Sequence, residues 1–214
     1  PMVITKEAIE SFRYRMLKEQ RIFYPGPVKQ TTELMHTATS HRSMDGVKLY
    51  QDVKEQLLKL ADSRFVAIIV GSGTTANEVM FGQIKAVFPK QLGLIVSNGE
   101  FGERLIQQAK YWELSFVEKK YDWATPFNLA EIEEMFIENE IKWLTIVHGE
   151  TSTGTLNPLH DLIQLCKKYN VKICVDCISS FGTYPFSLKE VFCATAVSGK
   201  AIGALGGLSF VFYN

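Results

Sequence analysis

The sequence predicts an α/β fold, a three-layer sandwich in which helices cover both faces of a mostly parallel sheet. Two observations carry this. Short, largely apolar runs, such as RFVAIIV (64–70) and IKWLTIV (141–147), alternate along the chain with amphipathic segments of helical period. Strands that are apolar at every position are buried on both faces, the pattern of parallel sheets covered by crossover helices. The composition agrees: 46% hydrophobic and 21% charged residues, ordinary for a globular chain.

The elements follow in order. Residues 5–20 read as a helix with Thr5 as N-cap. YPGP (24–27) reads as a turn. Residues 46–61 are helical, with Leu49, Val53, Leu57, Leu58 and Ala61 on one stripe. Strand 64–70, helix 75–87, strand 92–97 and helix 102–111 come next. ELSFV (113–117) reads as a strand, 128–139 as a helix and 141–147 as a strand. Helix 159–169 and strand 171–175 follow, and the last part is denser in strands, at 193–197 and 208–213. The domain expectation is a helical arm over 1–23 and one incomplete large domain over 24–214, within the ~100–200 residues usual for a domain. The apolar strand 208–213, if left uncovered, would invite association.

Several function classes are set aside. Lys plus Arg equals Asp plus Glu, 23 each, so no basic excess points to nucleic acid or to an anionic membrane. No apolar run approaches the ~20 residues that span a bilayer. The segment PMVITKEAIESFRYRM lacks the apolar core of a signal peptide, so a cytoplasmic location is expected. Cys174 and Cys177 form a C-x-x-C, but on a strand positions three apart point to opposite faces, and Cys166 sits on a helix. The cysteines are read as structural thiols, and no metal site is expected.

In sheets of this kind ligands bind beyond the carboxyl ends of the strands. After strand 64–70 comes Gly71-Ser72-Gly73-Thr74-Thr75-Ala76, then a helix. Glycines let the backbone approach a ligand, the helix start offers free N–H groups, and Ser72, Thr74 and Thr75 add hydroxyls, so this is a phosphate cradle. It also fits the dinucleotide pattern G-x-G-x-x-A, although the next strand ends without an acid at its tip. A tight glycine turn without a ligand is the third reading. After strand 92–97, Asn98-Gly99-Glu100-Phe101-Gly102 reads as a flexible mount for an exposed ring, or as a Phe that folds back into the core. The polar loop 148–154 closes strand 141–147. Asp176 stands at the mouth of a buried strand, where a carboxylate needs a partner: a structural hydrogen bond or a cationic ligand nitrogen. Lys200 lies in an apolar, glycine-rich stretch, AVSGKAIGALGG, where partial burial would lower its pKa and suit Schiff-base chemistry. A phosphate cradle, an aromatic ring, a carboxylate and an amine are together what pyridoxal phosphate requires.

From Tyr24 onward these motifs, in this order, resemble the class V aminotransferases of the fold-type-I pyridoxal-phosphate enzymes. YPGP and SHRS (40–43) look like the family's opening segment, which approaches the active site, so Arg42 is expected to help bind an anionic substrate group. GSGTTANE (71–78) resembles the phosphate loop, which implies cofactor contacts from Ser72, Gly73, Thr74 and Thr75. SNGEFGER (97–104) resembles the loop with the stacking aromatic, here Phe101. HGETSTGTLNPL (148–159) implies that Thr151 contacts the cofactor's phenolic oxygen. VDCISSFG (175–182) implies that Asp176 binds the pyridine nitrogen, and SGKAIGALGG (198–207) implies Ser198 in the site and Lys200 as the catalytic, Schiff-base lysine.

The resemblance implies a ping-pong transfer of an amino group from a small amine or amino acid to pyruvate or glyoxylate. SNGEFGER, HGETSTGTLNP and VDCISSFG are similar to 2-aminoethylphosphonate–pyruvate transaminases, and HGETSTG and SHRS to alanine–glyoxylate and serine–pyruvate aminotransferases, so both branches stay open. It also implies a homodimer, and a longer chain carrying the small domain and the arginine for the substrate carboxylate. By it, residues 1–214 would be a fragment or a degenerate member, a non-catalytic binding protein in the latter case. The family usually has Asn or Gln before the lysine, where this chain has Gly199. A cysteine desulfurase, a lyase of the same class, would carry His there.

Overall fold

The computed structural model describes residues 40–214, so the arm over 1–23, the helix 5–20 and the turn 24–27 lie outside the described residues. Seven strands form one sheet: β1 (Phe65–Val70), β2 (Gly93–Ser97), β3 (Phe116–Lys120), β4 (Trp143–Val147), β7 (Lys172–Asp176), β8 (Cys193–Val197) and β9 (Leu208–Tyr213). A small hairpin, β5 (Gly149–Glu150) with β6 (Thr155–Leu156), stands beside it. The order across the sheet is β1-β9-β8-β7-β4-β2-β3. Only β9 runs against the others among these strands, pairing with β1 on one side and β8 on the other. It is therefore an interior strand with Ser209 to Phe212 buried, and the expectation of a bare apolar strand is overturned.

Alternation along the strands builds a core on each face. Leu94, Val96, Leu144, Ile146, Ile173 and Val175 point to one side. There they meet α4 (Leu129–Glu138), α5 (Leu159–Lys168) and the end of α1 (Met44–Ala61) through residues such as Ile132, Phe136, Leu162 and Leu57. Ile95, Trp143, Cys174 and Val211 point to the other side, toward α2 (Gly73–Val87) and α3 (Glu100–Tyr111). This is the three-layer sandwich with a mostly parallel sheet.

Two sequence expectations shift. The apolar stripe on α1 is buried only at Leu57 and Ala61, because only the last turns lie over the sheet; Leu49 and Val53 are exposed. The strand expected at 113–117 begins three residues later. Helix α3 closes with a Schellman pair, Glu113 N–H to Lys110 O at 2.9 Å and Leu114 N–H to Ala109 O at 3.1 Å, with Glu113 left-handed at φ 51°. Leu114 is thus the apolar plug of a helix end, and pairing with β2 starts at Phe116. The four cysteines are free and buried, and burial pushes their thiols up, to about 12 for Cys166 and Cys193.

Gly93 is set by its neighbour: a Cβ there would come within 2.0 Å of Trp143 Cε2 on the paired strand. Trp143 is fully buried and cannot retreat. We expect Gly93→Ala to lower stability by about 1–3 kcal/mol, as overpacking does in a close-packed core. Urea unfolding measures it, and an unchanged midpoint would contradict the packing.

Candidate active site

Strands β1, β2, β4, β7 and β8 run parallel, so their C-terminal ends emerge at one edge of the sheet. A cavity of about 170 Å³ lies there, lined by Gly73, Thr74, Phe101, Thr151, Asp176 and Lys200, with Asn77, Arg104, Gln108, Ile178 and Ser179 among their neighbours. A larger cavity of about 560 Å³, lined by His148, Asn157 and Phe186 among others, includes neither Asp176 nor Lys200. The His148 ring stands edge-on to Phe186 at 4.6 Å, and burial lowers its pKa to about 4, which keeps it neutral.

Asp176 ends β7 and is buried. Its Oδ2 accepts from Asn77 Nδ2 at 2.7 Å and its Oδ1 from the Ile178 amide at 2.9 Å. Asn77 Oδ1 in turn accepts from Thr195 Oγ1 at 2.7 Å. Burial raises the Asp176 pKa, and the bonds from Asn77 and Ile178 work against that rise. Lys200 is half-buried in the turn after β8; desolvation lowers its pKa, and the Asp176 carboxylate opposes that shift.

The first turn of α2 is closed by a capping box. Ser72 Oγ accepts from the Thr75 amide at 3.3 Å, and Thr75 Oγ1 from the Ser72 amide at 3.2 Å. This starts the helix at Gly73, two residues earlier than its apolar period indicates. The Gly73 and Thr74 amides have no acceptor among the described residues and stand at the positive end of the helix. Gly73 is held small by Ile178, whose Cδ1 would lie 2.5 Å from an added Cβ. The ends of β2 and β4 are tied by Asn98 and Asn157, Nδ2 to Oδ1 at 2.8 Å, and Asn157 Nδ2 also donates to Val147 O at 2.8 Å. Thr151 and Ser179 share a short hydroxyl–hydroxyl bond.

The aminotransferase class V family profile matches residues 28–213. The chain belongs to this family. A 2-aminoethylphosphonate–pyruvate transaminase from Bacillus mycoides (strain KBAB4) is 31% identical over 201 residues, 89% of this chain and 54% of that protein. One from Pseudomonas putida (strain W619) is 32% identical over 197 residues, covering 88% and 53%. The crystal structure of an alanine–glyoxylate aminotransferase from Nostoc sp. superposes with a TM-score of 0.81 at 26% identity, over 89% of this chain and 52% of that one. The chain spans about half the length of the relatives it matches.

Of the residues expected at a class V site, the fold brings Gly73, Thr74, Phe101, Thr151, Asp176 and Lys200 to one cavity. Ser72 and Thr75 do not line it, since their hydroxyls are engaged in the capping box. Ser198 is buried beneath the loop, donating to Leu205 O at 2.6 Å and Leu208 O at 3.1 Å. Arg42 is exposed beside the N-cap of α1 and is not among the lining residues. The glycines around Phe101 are not a flexible mount: Gly99 packs on Glu150 and Gly102 on Ser97. Asn77, Arg104, Gln108 and Ser179 were not singled out as site residues. Asn77 carried a signal, being a polar residue on the stripe that continues to Phe81 and Ile84. Arg104 lies over the Phe101 ring, 5.2 Å from its centroid.

Asn77→Ala would strip one donor from Asp176 and the acceptor from Thr195. We expect a loss of about 1–3 kcal/mol for each buried group left unsatisfied. Because the Asp176 pKa is raised on folding, native protein binds that proton more tightly than the unfolded chain, so stability falls as pH rises through the raised value. Losing Asn77 enlarges that fall. The penalty should therefore be greater at neutral than at mildly acidic pH in urea titrations; a penalty independent of pH would refute the coupling.

Proposed function

We propose that the whole protein is a pyridoxal-phosphate-dependent aminotransferase that moves an amino group from a small donor of the 2-aminoethylphosphonate, alanine or serine type to pyruvate or glyoxylate. The observation that carries this reading is the meeting of Lys200, Asp176 and the open amides of Gly73 and Thr74 in one cavity. These residues fit the cofactor. The amides at the start of α2 and the Thr74 hydroxyl would hold its phosphate, Phe101 would lie against its ring, Thr151 would meet its phenolic oxygen and Asp176 its pyridine nitrogen. The names of the relatives favour pyruvate and glyoxylate as acceptors.

When bound, pyridoxal phosphate supplies an aldehyde and an electron-withdrawing ring that spreads negative charge from the substrate carbon. The chain's part is to place and protonate. Asp176, fixed by Asn77 and Ile178, would place a negative charge at the ring nitrogen and favour its protonated form. The Lys200 amine would hold the cofactor and, once displaced by the amino donor, would be free to move the proton at the substrate carbon; its lowered pKa increases the share of neutral amine near neutral pH.

Residues 24–214 then form the cofactor-binding domain and 1–23 an arm. A homodimer is part of the proposal, supported by the exposed apolar side chains Met44, Val47, Leu49 and Tyr50 along α1. So is a cytoplasmic setting, which suits four unpaired cysteines. Among the described residues no helix is long and apolar enough to cross a membrane.

Borohydride reduction of the cofactor-loaded full-length protein followed by peptide mapping should place the pyridoxyl group on Lys200; a label on another lysine sinks the assignment. In cofactor-free protein, modification of Lys200 by an amine-selective reagent should have its pH midpoint below 10.5, the ordinary lysine value, since burial lowers the Lys200 pKa. Lys200→Ala should reduce turnover by about 10²–10⁴-fold or more, the range for loss of a positioned acid–base group. Asp176→Asn should keep the fold and lose most of the turnover, and near-normal rates in that variant would remove Asp176 from its role.

A further inference from the structure

Helix α3 begins at Gly99, which has no side chain to cap it, so the first amides of the helix need acceptors from elsewhere. Segment 150–152, beyond the end of another strand, supplies them all. The Glu100 amide donates to Ser152 Oγ at 3.0 Å, the Phe101 amide to Glu150 Oε1 at 3.4 Å, and the Gly102 amide to Glu150 Oε2 at 3.0 Å. Glu150 is 1% exposed, and it also accepts from the Ser152 amide at 3.1 Å and the Ser152 hydroxyl at 2.6 Å. A local cap has been exchanged for a distant one. A Cβ at residue 99 would lie 2.5 Å from Glu150 Cγ and 2.6 Å from Ser152 Oγ, so the Ser, Thr, Asp or Asn that ordinarily caps a helix does not fit. A carboxylate is also the group that the positive end of the helix favours.

Thr151 stands between the two capping residues, and Phe101 stands in the turn they cap. Both line the cavity, yet Thr151 follows the hairpin strand β5 and Phe101 lies in the helix after β2. One buried side chain therefore fixes a ring and a hydroxyl relative to each other. We propose that Glu150 is a positioning residue that caps α3 from a neighbouring strand end and thereby holds Phe101 and Thr151 in register for the cofactor ring. The role rests on reading the cavity as a pyridoxal-phosphate site.

The test uses the full-length protein with Glu150→Gln, Glu150→Ala and Ser152→Ala, read by amide hydrogen exchange without cofactor and by titration with pyridoxal phosphate. Glu150→Gln keeps one acceptor oxygen and the shape of the side chain. It should speed exchange at Phe101 and Gly102, leave the amides of β4 and β7 as in wild type, and weaken pyridoxal phosphate on the order of 10–100-fold, the effect of losing a hydrogen bond to a charged group. The circular dichroism induced in the bound cofactor should change, since it reports the ring's surroundings. Ser152→Ala, at an exposed position, should speed exchange at Glu100 with a smaller loss of affinity, and it carries the test should Glu150→Ala fail to fold. Unchanged exchange and affinity in Glu150→Gln would overturn the proposal. So would faster exchange throughout the sheet with affinity falling only in step with stability, the mark of a merely structural role. Wild-type protein that takes up no pyridoxal phosphate would instead overturn the cofactor reading, and this inference with it.

Discussion

A carboxylate buried at the end of a β-strand must be met by donors, and much of the site is arranged around that need at Asp176. One donor is the amide two residues on, which any turn can supply. The other is Asn77 in α2, and it brings more than a hydrogen bond. Through Asn77 the helix whose first residues line the cavity is locked to β7, and through Thr195 to β8, the strand that delivers Lys200. The positive helix end, the acid and the amine are thus held by one polar chain inside an apolar core. Such chains are rigid when every member is satisfied and costly when one is not.

The sheet was legible in the sequence because burial on both faces leaves short, largely apolar runs, as at 141–147 and 193–197. Lys200, Asp176 and Phe101 were legible because each is an unusual residue type at the C-terminal end of a strand. Boundaries set by distant groups were not. The Ser72–Thr75 box is local, yet it pairs with each other the hydroxyls that were expected to face a ligand. Helix α3 starts earlier than its own residues indicate because its cap comes from Glu150, roughly fifty positions away in the chain. The stripe on α1 satisfied helical periodicity along its whole length, but periodicity does not say how far a neighbouring element extends.

Glycine shows the same division between local and distant causes. In the sequence, Gly99 and Gly102 suggest freedom around a ring. In the fold each is small because something rigid presses on it: Glu150 against Gly99, Ser97 against Gly102, Ile178 against Gly73, and Trp143 against Gly93. None of these four depends on a left-handed backbone. Their effect is to lower mobility, since close backbone approach leaves the strand ends little room. Under the proposed function, stiff walls of this kind would suit a planar cofactor ring better than adaptable ones.

The antiparallel strand explains how the lysine is presented. A parallel neighbour would require a long crossover connection back to the opposite edge of the sheet. Because β9 returns directly, residues 198–207 form a loop instead, and its shape is fixed at both ends. Ser198 ties the base of the loop to Leu205 and Leu208, while the Gly71 amide bonds Gly207 O at 2.8 Å. That last bond joins the lysine loop to the segment that opens α2. Lys200 therefore projects from a loop pinned to the segment before the helix whose first residues line the same cavity. The half-burial that lowers its pKa follows from that anchoring and needs no neighbouring cation.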